Sequence, residues 1–331
     1  MDRPSSSPER RYGRAITAMN DLPTISVVTP SFNQAAYLEQ TIRSVLDQDY
    51  PRLEYIVIDG GSTDGSADII RRYAHRLSHW VSEPDRGQTH AINKGMERAT
   101  GEIRAYLNSD DLYLPGTLNQ VAKAYRENPG ADLFHGSCRV IDENGCKIAE
   151  RCGSISTFEE IVDLWDVWWK RRNFVQPEVF WTRRIGERIG PLREDLYFVM
   201  DYEYWTRMLM VGAKVQKIES ELACFRLTCS QKSNLRDGCA REILSVAKDY
   251  LWNDAVRFNW LLRWKLQGAW LYQTKFLPAV IVSLSHGETR PRRWCRMAGV
   301  IMKHPKAVFS RGLAQRSALV VQGLLTGLRG E

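Results

Sequence analysis

The sequence lacks the motifs that mark several common classes of nucleotide-binding protein. There is no G-x-x-x-x-G-K-[ST] loop, which excludes an ordinary P-loop NTPase. No G-x-G-x-x-G follows the first predicted strand, so a dinucleotide dehydrogenase is not indicated. The Gly- and Lys-rich activating loop expected near the first strand of a nucleotidyltransferase is missing too. Any phosphate group bound here therefore needs another means of charge neutralisation.

Long apolar runs and paired cysteines are also lacking. The longest apolar run, around residues 276–284, contains Pro and Ser and is shorter than the ~20 residues of a spanning helix. Residues 1–20 carry no apolar core of a secretory signal, so we predict a flexible tail over residues 1–22. The seven cysteines are scattered without C-x-x-C spacing, which is typical of reduced thiols. These features predict a cytoplasmic protein.

The composition is that of an ordinary globular protein with an anionic partner. The 331 residues are 44% hydrophobic and 26% charged, which fits one large domain or two modest ones. The net charge is +7 and the pI is near 9.0. Nucleic acid, a phosphorylated small molecule and an acidic membrane surface all satisfy such a charge.

From residue 24 onward, short β-rich runs alternate with helical patterns. Strands are predicted at residues 25–29, 53–58, 80–81 and 103–107, and helices lie between them and after Pro115. Such alternation predicts an α/β fold with a mostly parallel sheet flanked by helices. Ligands of these sheets bind beyond the carboxyl ends of the strands.

Polar residues follow each of the four predicted strands. They occupy residues 29–33, 59–65, 83–88 and 108–111. Plain turns explain Gly, Asp and Ser equally well at residues 59–61. At the fourth strand end, adjacent Asp110 and Asp111 repel one another unless a cation lies nearby. Mn²⁺ or Mg²⁺ prefers such carboxylates together with substrate phosphates.

Five segments in this order resemble glycosyltransferase family 2, whose members are inverting enzymes with the GT-A fold. The segments are residues 27–33, 56–65, 85–95, 107–111 and 200–205. The resemblance covers about residues 24–230. It implies a GT-A (Rossmann-like) catalytic domain over residues 23–235, with a nucleotide-sugar half to about 130 and an acceptor half from 131. A basic helical region, residues 236–331, follows.

The resemblance also implies roles for individual residues. Pro30 and Phe32 would lie against the nucleobase, and Asp59 would accept a hydrogen bond from it. Asp110, with Asp111 close by, would hold the metal ion, and Asp201 would be the general base. The full set of implied nucleotide contacts is Thr29, Pro30, Phe32, Asn33, Asp59, Arg86, Gln88, Asn93 and Ser109.

Four positions depart from the family pattern. Asn108 stands at the first position of the D-x-D motif, which removes one negative charge from the predicted metal site. Gly60 stands where a second Asp is frequent, and Met200 where Glu is common. Thr228 stands where many relatives have His, so a metal ligand from that side is not expected.

These observations predict a hexosyltransferase-type enzyme. It would move a sugar from a nucleotide-diphosphate sugar, with UDP the expected nucleotide, to a glycan or lipid-linked acceptor in cell-surface polysaccharide synthesis. A catalytically impaired nucleotide-sugar or glycan-binding relative is the alternative, because of Asn108. A helix cap is the alternative role of Asp201. A nucleic-acid-binding protein is disfavoured, because the basic residues lie apart from the acidic strand ends.

Two aromatic stretches allow two interpretations each. The first could bind an acceptor sugar or pack in the core; it comprises Trp165, Trp168, Trp169, Phe174, Phe180 and Trp181. The second, from about residue 241 to 311, interleaves Trp and Leu with Arg and Lys. It could lie on an anionic membrane surface, such as the inner face of the plasma membrane. It could equally form a helical cap with a solvated basic face.

Overall fold

The computed structural model describes residues 22–164, 166–167, 170–228, 231, 236–285 and 290–306. The predicted tail, apart from Leu22, lies outside these residues. The chain divides into two units. Unit 1 extends to residue 154 and resumes over residues 174–231, and unit 2 contains residues 155–173 and the chain from 232 onward. Residues 155–173, which the sequence analysis placed in the acceptor half, thus belong with the C-terminal helices.

The first half of unit 1 is a parallel sheet with the predicted strand–helix alternation. Its strands lie in the order β3-β2-β1-β4, and their carboxyl ends share one edge. The strands are β1 (Ile25–Ser31), β2 (Leu53–Asp59), β3 (His79–Ser82) and β4 (Ile103–Tyr106). The intervening helices are α1 (Ala35–Leu46), α2 (Ser66–Tyr73) and α3 (Gln88–Arg98).

Apolar periodicity accounts for how these helices pack. In α1, Leu38, Ile42 and Val45 are spaced at helical intervals and are fully buried against the sheet. Helix α3 approaches β1 so closely that a Cβ atom on Gly95 would lie 2.3 Å from Val28 Cγ1. Only glycine fits at that contact. Both helices thus bury one face against the sheet.

The second half of the sheet is mixed rather than parallel. Strand β8 is antiparallel to both β4 and β6, whereas β9 runs parallel to β6. The order continues from β4 as β8-β6-β9-β5, with β7 paired to β6 in a hairpin. These strands are β5 (Leu112–Tyr113), β6 (Leu133–Ile141), β7 (Lys147–Cys152), β8 (Val179–Thr182) and β9 (Val215–Arg226). The helices are α4 (Thr117–Glu127), α6 (Arg183–Ile189) and α7 (Met200–Met210).

Unit 2 is helical. Its helices are α5 (Phe158–Val162), α8 (Arg236–Leu251), α9 (Trp260–Leu271), α10 (Leu277–Ser285) and α11 (Arg290–Lys303). Phe158 stacks on Phe258 at 5.3 Å and meets Tyr250 edge-on at 5.7 Å between ring centroids. Residues 155–173 are thereby held by the C-terminal helices. Among the described residues, no helix has the length and apolar character needed to cross a bilayer.

Candidate active site

Asp59 lies at the carboxyl end of β2 and is fully buried. Its Oδ2 atom accepts hydrogen bonds from Ser62 N at 2.9 Å, Gly61 N at 3.2 Å and Ser82 Oγ at 2.7 Å. Its Oδ1 atom accepts from Ser62 Oγ at 2.5 Å. The carboxylate predicted to meet a nucleobase therefore also fixes the shape of the loop after β2 and joins it to β3.

The loop after β2 is bonded to the start of α1. Ser62 Oγ accepts from Asn33 N at 2.8 Å, and Asn33 Oδ1 accepts from Thr63 N at 2.9 Å. Asp64 Oδ2 accepts from Ala35 N, one of the unpaired amides of the first helical turn, at 2.8 Å. These hydrogen bonds hold the first two strand ends as one rigid edge. The role of Asp64 was not found from the sequence, although its position in a polar loop before a helix was a usable signal.

Gly60, where a second acid is frequent in the family, lies against the Asp85 side chain. A Cβ atom at this position would lie 2.7 Å from Asp85 Oδ2, so a side chain here would require the Asp85 carboxylate to move. The Asp85 carboxylate occupies that space and accepts from Gly87 N at 2.7 Å. A carboxylate from the loop after β3 thus lies where the sequence pattern leads one to expect a neighbour of Asp59.

The other residues of the first strand end differ in exposure. Thr29 and Pro30 are buried in β1, and Thr29 Oγ1 is hydrogen-bonded to Tyr55 OH at 3.0 Å. Phe32 directly follows the strand and is 60% exposed. An apolar ring in solvent beside the fixed loop is available to a planar ligand. Of these three residues, Phe32 is thus the one open to a nucleobase.

Asn108 is the centre of a chain of amides. Its Oδ1 atom accepts from Gln88 Nε2 at 2.7 Å, and its Nδ2 atom donates to Gln176 Oε1 at 3.1 Å. Gln176 Nε2 donates in turn to the Tyr106 carbonyl at 2.6 Å. A carboxylate accepts hydrogen bonds but does not donate them, so Asp at position 108 would break the link to Gln176. The neutral residue therefore fits this network.

Asp110 and Asp111 lie next to each other but in different surroundings. Asp111 is fully buried, and its Oδ1 atom accepts from Arg226 N at 2.9 Å. Burial and the charge of Asp110 raise its pKa well above the ordinary value. Asp110 is half-buried, and burial raises its pKa although Gln231 Nε2 lies 3.4 Å from Oδ2. Asp110 is the carboxylate with access to a ligand.

This donor set fits a divalent cation held chiefly by Asp110 and a substrate diphosphate. Mg²⁺ is commonly bound through one or two carboxylates together with substrate phosphates. Within the described ranges, no three Asp, Glu, His or Cys side chains gather into a metal-holding cluster. Thr228 lies two residues after the end of β9, and farther along this segment Gln231 Nε2 lies 3.4 Å from Asp110 Oδ2.

Arg226, at the end of β9, was not found from the sequence. It is 1% exposed, and its guanidinium spans the base of the loop after β4. Nε donates to the Asp110 carbonyl at 2.9 Å, Nη1 to the Glu143 carbonyl at 3.1 Å and Nη2 to Gln40 Oε1 at 2.9 Å. The guanidinium carbon lies 4.8 Å from the centroid of the Tyr37 ring. Arg226 therefore fixes the position of Asp110 from beneath.

Asp201 lies in the first turn of α7, where the positive end of the helix dipole favours a negative charge. Val199 is the N-cap residue, so Asp201 does not itself cap the helix. Burial raises the pKa of Asp201 to about 6, and the hydrogen bond from Tyr202 N at 2.6 Å offsets part of that effect. After burial, the charges of Asp201 and Asp111 contribute to the raised pKa of the Tyr106 hydroxyl. The two carboxylates therefore both lie within electrostatic reach of one buried group.

Arg86 and Asn93 meet the segment between α6 and α7. Arg86 forms an ion pair with Glu194, with Nη2 and Oε2 2.7 Å apart. The Asn93 amide is buried, donates to the Leu192 carbonyl at 2.9 Å and accepts from Leu192 N at 3.0 Å. Asn93 thus anchors the segment that leads to Asp201, while Arg86 remains largely exposed beside it. Ser109 is buried between Asn108 and Asp110.

The region from 174 to 181 is a packed core with one unusual carboxyl group. Phe174, Phe180 and Trp181 are buried, which confirms the core-packing interpretation for these three; Trp165, Trp168 and Trp169 lie outside the described residues. Glu178 is fully buried, and its Oε1 atom accepts from Val175 N at 3.0 Å. Its Oε2 atom has no hydrogen-bond partner in the described part of the chain. Burial raises the pKa of Glu178 to about 8.

Residues 26–185 match the sequence profile of the family described as Glycosyl transferase family 2. This segment belongs to glycosyltransferase family 2. The chain is 39% identical over 117 residues to TuaG of Bacillus subtilis (strain 168), provisionally named a teichuronic acid biosynthesis glycosyltransferase; this covers 34% of the chain and 46% of TuaG. It is 28% identical over 199 residues to a PGL/p-HBAD biosynthesis glycosyltransferase of Mycobacterium bovis (strain BCG / Pasteur 1173P2). This match covers 59% of the chain and 73% of that relative. The match thus spans about half of TuaG.

Solved structures confirm the GT-A fold. S. aureus TarS 1-349 superposes with a TM-score of 0.58 at 16% identity, covering 85% of this chain and 80% of that one. The mannosyltransferase PcManGT of Pyrobaculum calidifontis, solved with GDP-Man and Mn²⁺, gives a TM-score of 0.55 at 17% identity over 94% of this chain and 88% of its own. At these identities the likeness establishes the fold. The ligands belong to those proteins.

Proposed function

We propose that this chain is an inverting glycosyltransferase. It moves a sugar, a hexose by our proposal, from a nucleotide-diphosphate sugar, with UDP the first nucleotide to test, to a hydroxyl of a glycan or lipid-linked acceptor. The observation that carries the proposal is the half-buried Asp201 at the start of α7, whose charge acts on the same buried Tyr106 hydroxyl as the charge of Asp111 after β4. The biosynthetic roles in the names of two relatives, teichuronic acid and PGL/p-HBAD biosynthesis, support our proposal of a role in cell-surface polysaccharide synthesis.

The proposed chemistry is a single displacement. Asp201, with a pKa of about 6, is mostly ionised at neutral pH and can take the proton of the acceptor hydroxyl. The acceptor oxygen forms a bond to the anomeric carbon while the bond to the diphosphate breaks, and the nucleoside diphosphate leaves with the electron pair. Attack opposite the leaving group inverts the anomeric configuration.

The remaining residues hold the donor. Phe32 offers its exposed ring to the base beside the loop fixed by Asp59. Asp110, supported by Arg226, would hold Mn²⁺ or Mg²⁺, with Asp111 behind it. When bound, the ion stabilises the negative charge of the leaving diphosphate. Gln88 is oriented by Asn108 toward the same strand ends.

The test is a donor panel. The full chain is incubated with UDP-, dTDP- and GDP-sugars, with and without Mn²⁺, and binding is measured by calorimetry. We expect metal-dependent binding of one nucleotide, and Asp110→Asn should remove the metal dependence. Lack of any metal-dependent nucleotide binding would overturn the proposal. Binding without transfer to any hydroxyl acceptor would favour the catalytically impaired alternative, and a product with retained anomeric configuration would exclude inversion.

A further inference from the structure

The apolar residues of helix α9 of unit 2 differ in exposure along the helix. Leu266 and Leu271, in its second half, are buried. In its first half, Leu261 and Trp264 are exposed and Trp260 is 70% exposed. A helix that only caps a core buries one apolar stripe and presents polar residues to water. The exposed apolar face formed by Trp260, Leu261 and Trp264, called the outer face, therefore needs a different explanation.

Basic side chains surround this outer face. Arg257 and Lys265 are exposed beside it. Lys306, three residues after the end of α11, is half-buried; its Nζ atom donates to Oε1 of the buried Gln267 at 2.6 Å and lies 5.2 Å from the centroid of the Trp264 ring. Met302, four residues before Lys306, is 77% exposed. Apolar and cationic groups are thus intermixed on one surface.

The charge of this region is strongly one-sided. Residues 252–306 contain ten Lys and Arg against two acids, Asp254 and Glu288. Asp254 is paired with Arg263, with Oδ1 and Nη1 3.0 Å apart. The described part of the outer face therefore presents net positive charge. Its partner must be anionic and must also accept exposed apolar side chains.

We propose that this surface, formed by Trp260, Leu261, Trp264, Lys265 and Met302 with Arg257 beside it, docks on a bilayer that contains anionic lipid. Tryptophan rings favour the boundary between headgroups and acyl chains, while Lys side chains reach phospholipid phosphates. Each basic residue near an anionic surface adds about 1 kcal/mol of attraction. Nucleic acid could contact the basic side chains and stack on the tryptophan rings, but it would leave Leu261 and Met302 exposed to water. The inference stands independently of the proposed transferase activity.

The test is co-sedimentation of the full chain with vesicles of phosphatidylcholine alone or of phosphatidylcholine and phosphatidylglycerol at a molar ratio of about 7:3. We expect partitioning onto the anionic vesicles that weakens at high salt, since screening shortens the reach of the charges. Trp260→Ser combined with Met302→Ser should lower the partition coefficient about tenfold. Arg257→Gln and Lys265→Gln should each lower it about fivefold.

Matched controls come from exposed residues of unit 1. Ile148→Ser removes a side chain that is 55% exposed on β7, and Lys123→Gln removes an exposed charge on α4. Neither should change partitioning, and urea unfolding verifies that all variants fold. Three outcomes would overturn the inference: no binding to anionic vesicles, binding that the α9 substitutions leave unchanged, or a dimer or DNA complex that these substitutions abolish instead. Activity assays on soluble acceptors test the transferase separately.

Discussion

The acidic residues after β2 and those after β4 and at α7 have opposite electrostatic surroundings. Burial alone would raise the pKa of Asp64, yet hydrogen bonds from Ser66 and from Ala35 N lower it below its ordinary value. At Asp110 and Asp201, burial outweighs the hydrogen bonds and the pKa is raised. The carboxylates of the first group accept hydrogen bonds that fix the loop. The charged form of the carboxylates in the second group is destabilised by burial, and a bound cation or a proton can offset that cost.

This difference indicates which carboxylates are candidates for acid–base catalysis. Catalytic acids and bases need a pKa near the working pH, which requires burial without complete neutralisation. Both carboxylate oxygens of Asp59 accept hydrogen bonds, and these bonds fix the loop after β2 and join it to β3. Asp201 lies in a helix turn at the other side of the site with a pKa of about 6. Sequence proximity to the strand ends alone does not separate these roles.

The largest effect is expected at Asp201. Asp201→Asn should lower kcat by about 10²- to 10⁴-fold, because the amide cannot accept the proton of the acceptor hydroxyl. Nucleotide affinity, measured by calorimetry, should stay within about twofold. In the wild type, kcat/KM should fall about tenfold per unit as pH drops below about 6, where Asp201 becomes protonated. Asp195→Asn, at an exposed carboxylate paired with Arg193, is the control. Loss of nucleotide binding in Asp201→Asn would instead indicate a structural role.

Glu178 extends the comparison to stability. Its pKa of about 8 in the folded protein exceeds the ordinary value of 4.5, so the folded state keeps a proton that the unfolded chain has lost. The stabilisation is fully present below pH 4.5 and is lost as pH rises to about 8, by a free energy on the order of 5 kcal/mol. Glu178→Gln should remove this pH dependence. Urea unfolding at acidic and alkaline pH measures it, and equal pH slopes in the two proteins would contradict the burial of an uncharged carboxyl group.

A smaller effect is expected at Asp59. Asp59→Asn replaces an acceptor-only carboxylate by an amide whose NH₂ group faces other donors, and should lower the free energy of unfolding by about 1–3 kcal/mol. Urea unfolding with and without nucleotide gives the value. Asp68→Asn, on the exposed face of α2, removes only a surface ion pair and should change stability by less than about 1 kcal/mol. If both variants unfold alike, the hydrogen bonds to Asp59 do not stabilise the loop after β2 as described.

Local patterns in the sequence were sufficient to predict the strands and helices in the first half of unit 1. Strands β1 to β4 and helices α1 and α3 follow from apolar periodicity, because each pattern is complete within about a dozen residues. The antiparallel insertion of β8 between β4 and β6 was not predictable, since pairing between segments about 75 residues apart leaves no local signal. The mixed half of the sheet is therefore known only from the structure.

The same limit applies to the site. Asp110 and Asp201 were found because motif order and helix position are local features, although their roles remain predictions. Arg226 was missed because its partners Gln40 and Glu143 are 186 and 83 residues away in the chain. The amide network of Asn108 was missed for the same reason, and the sequence alone showed only a lost charge. The structure shows a residue that must both donate and accept hydrogen bonds.

The interleaved chain path of the two units has a practical consequence for protein engineering. A truncation after residue 231 would leave residues 155–173 attached but would delete Tyr250 and Phe258, the rings that enclose Phe158. The stranded segment would expose its apolar side chains and promote aggregation. A minimal catalytic unit therefore requires a second deletion that joins residue 154 to residue 174. Unit 2 is accordingly not an interchangeable C-terminal module, and chimeras between relatives should exchange both of its segments together.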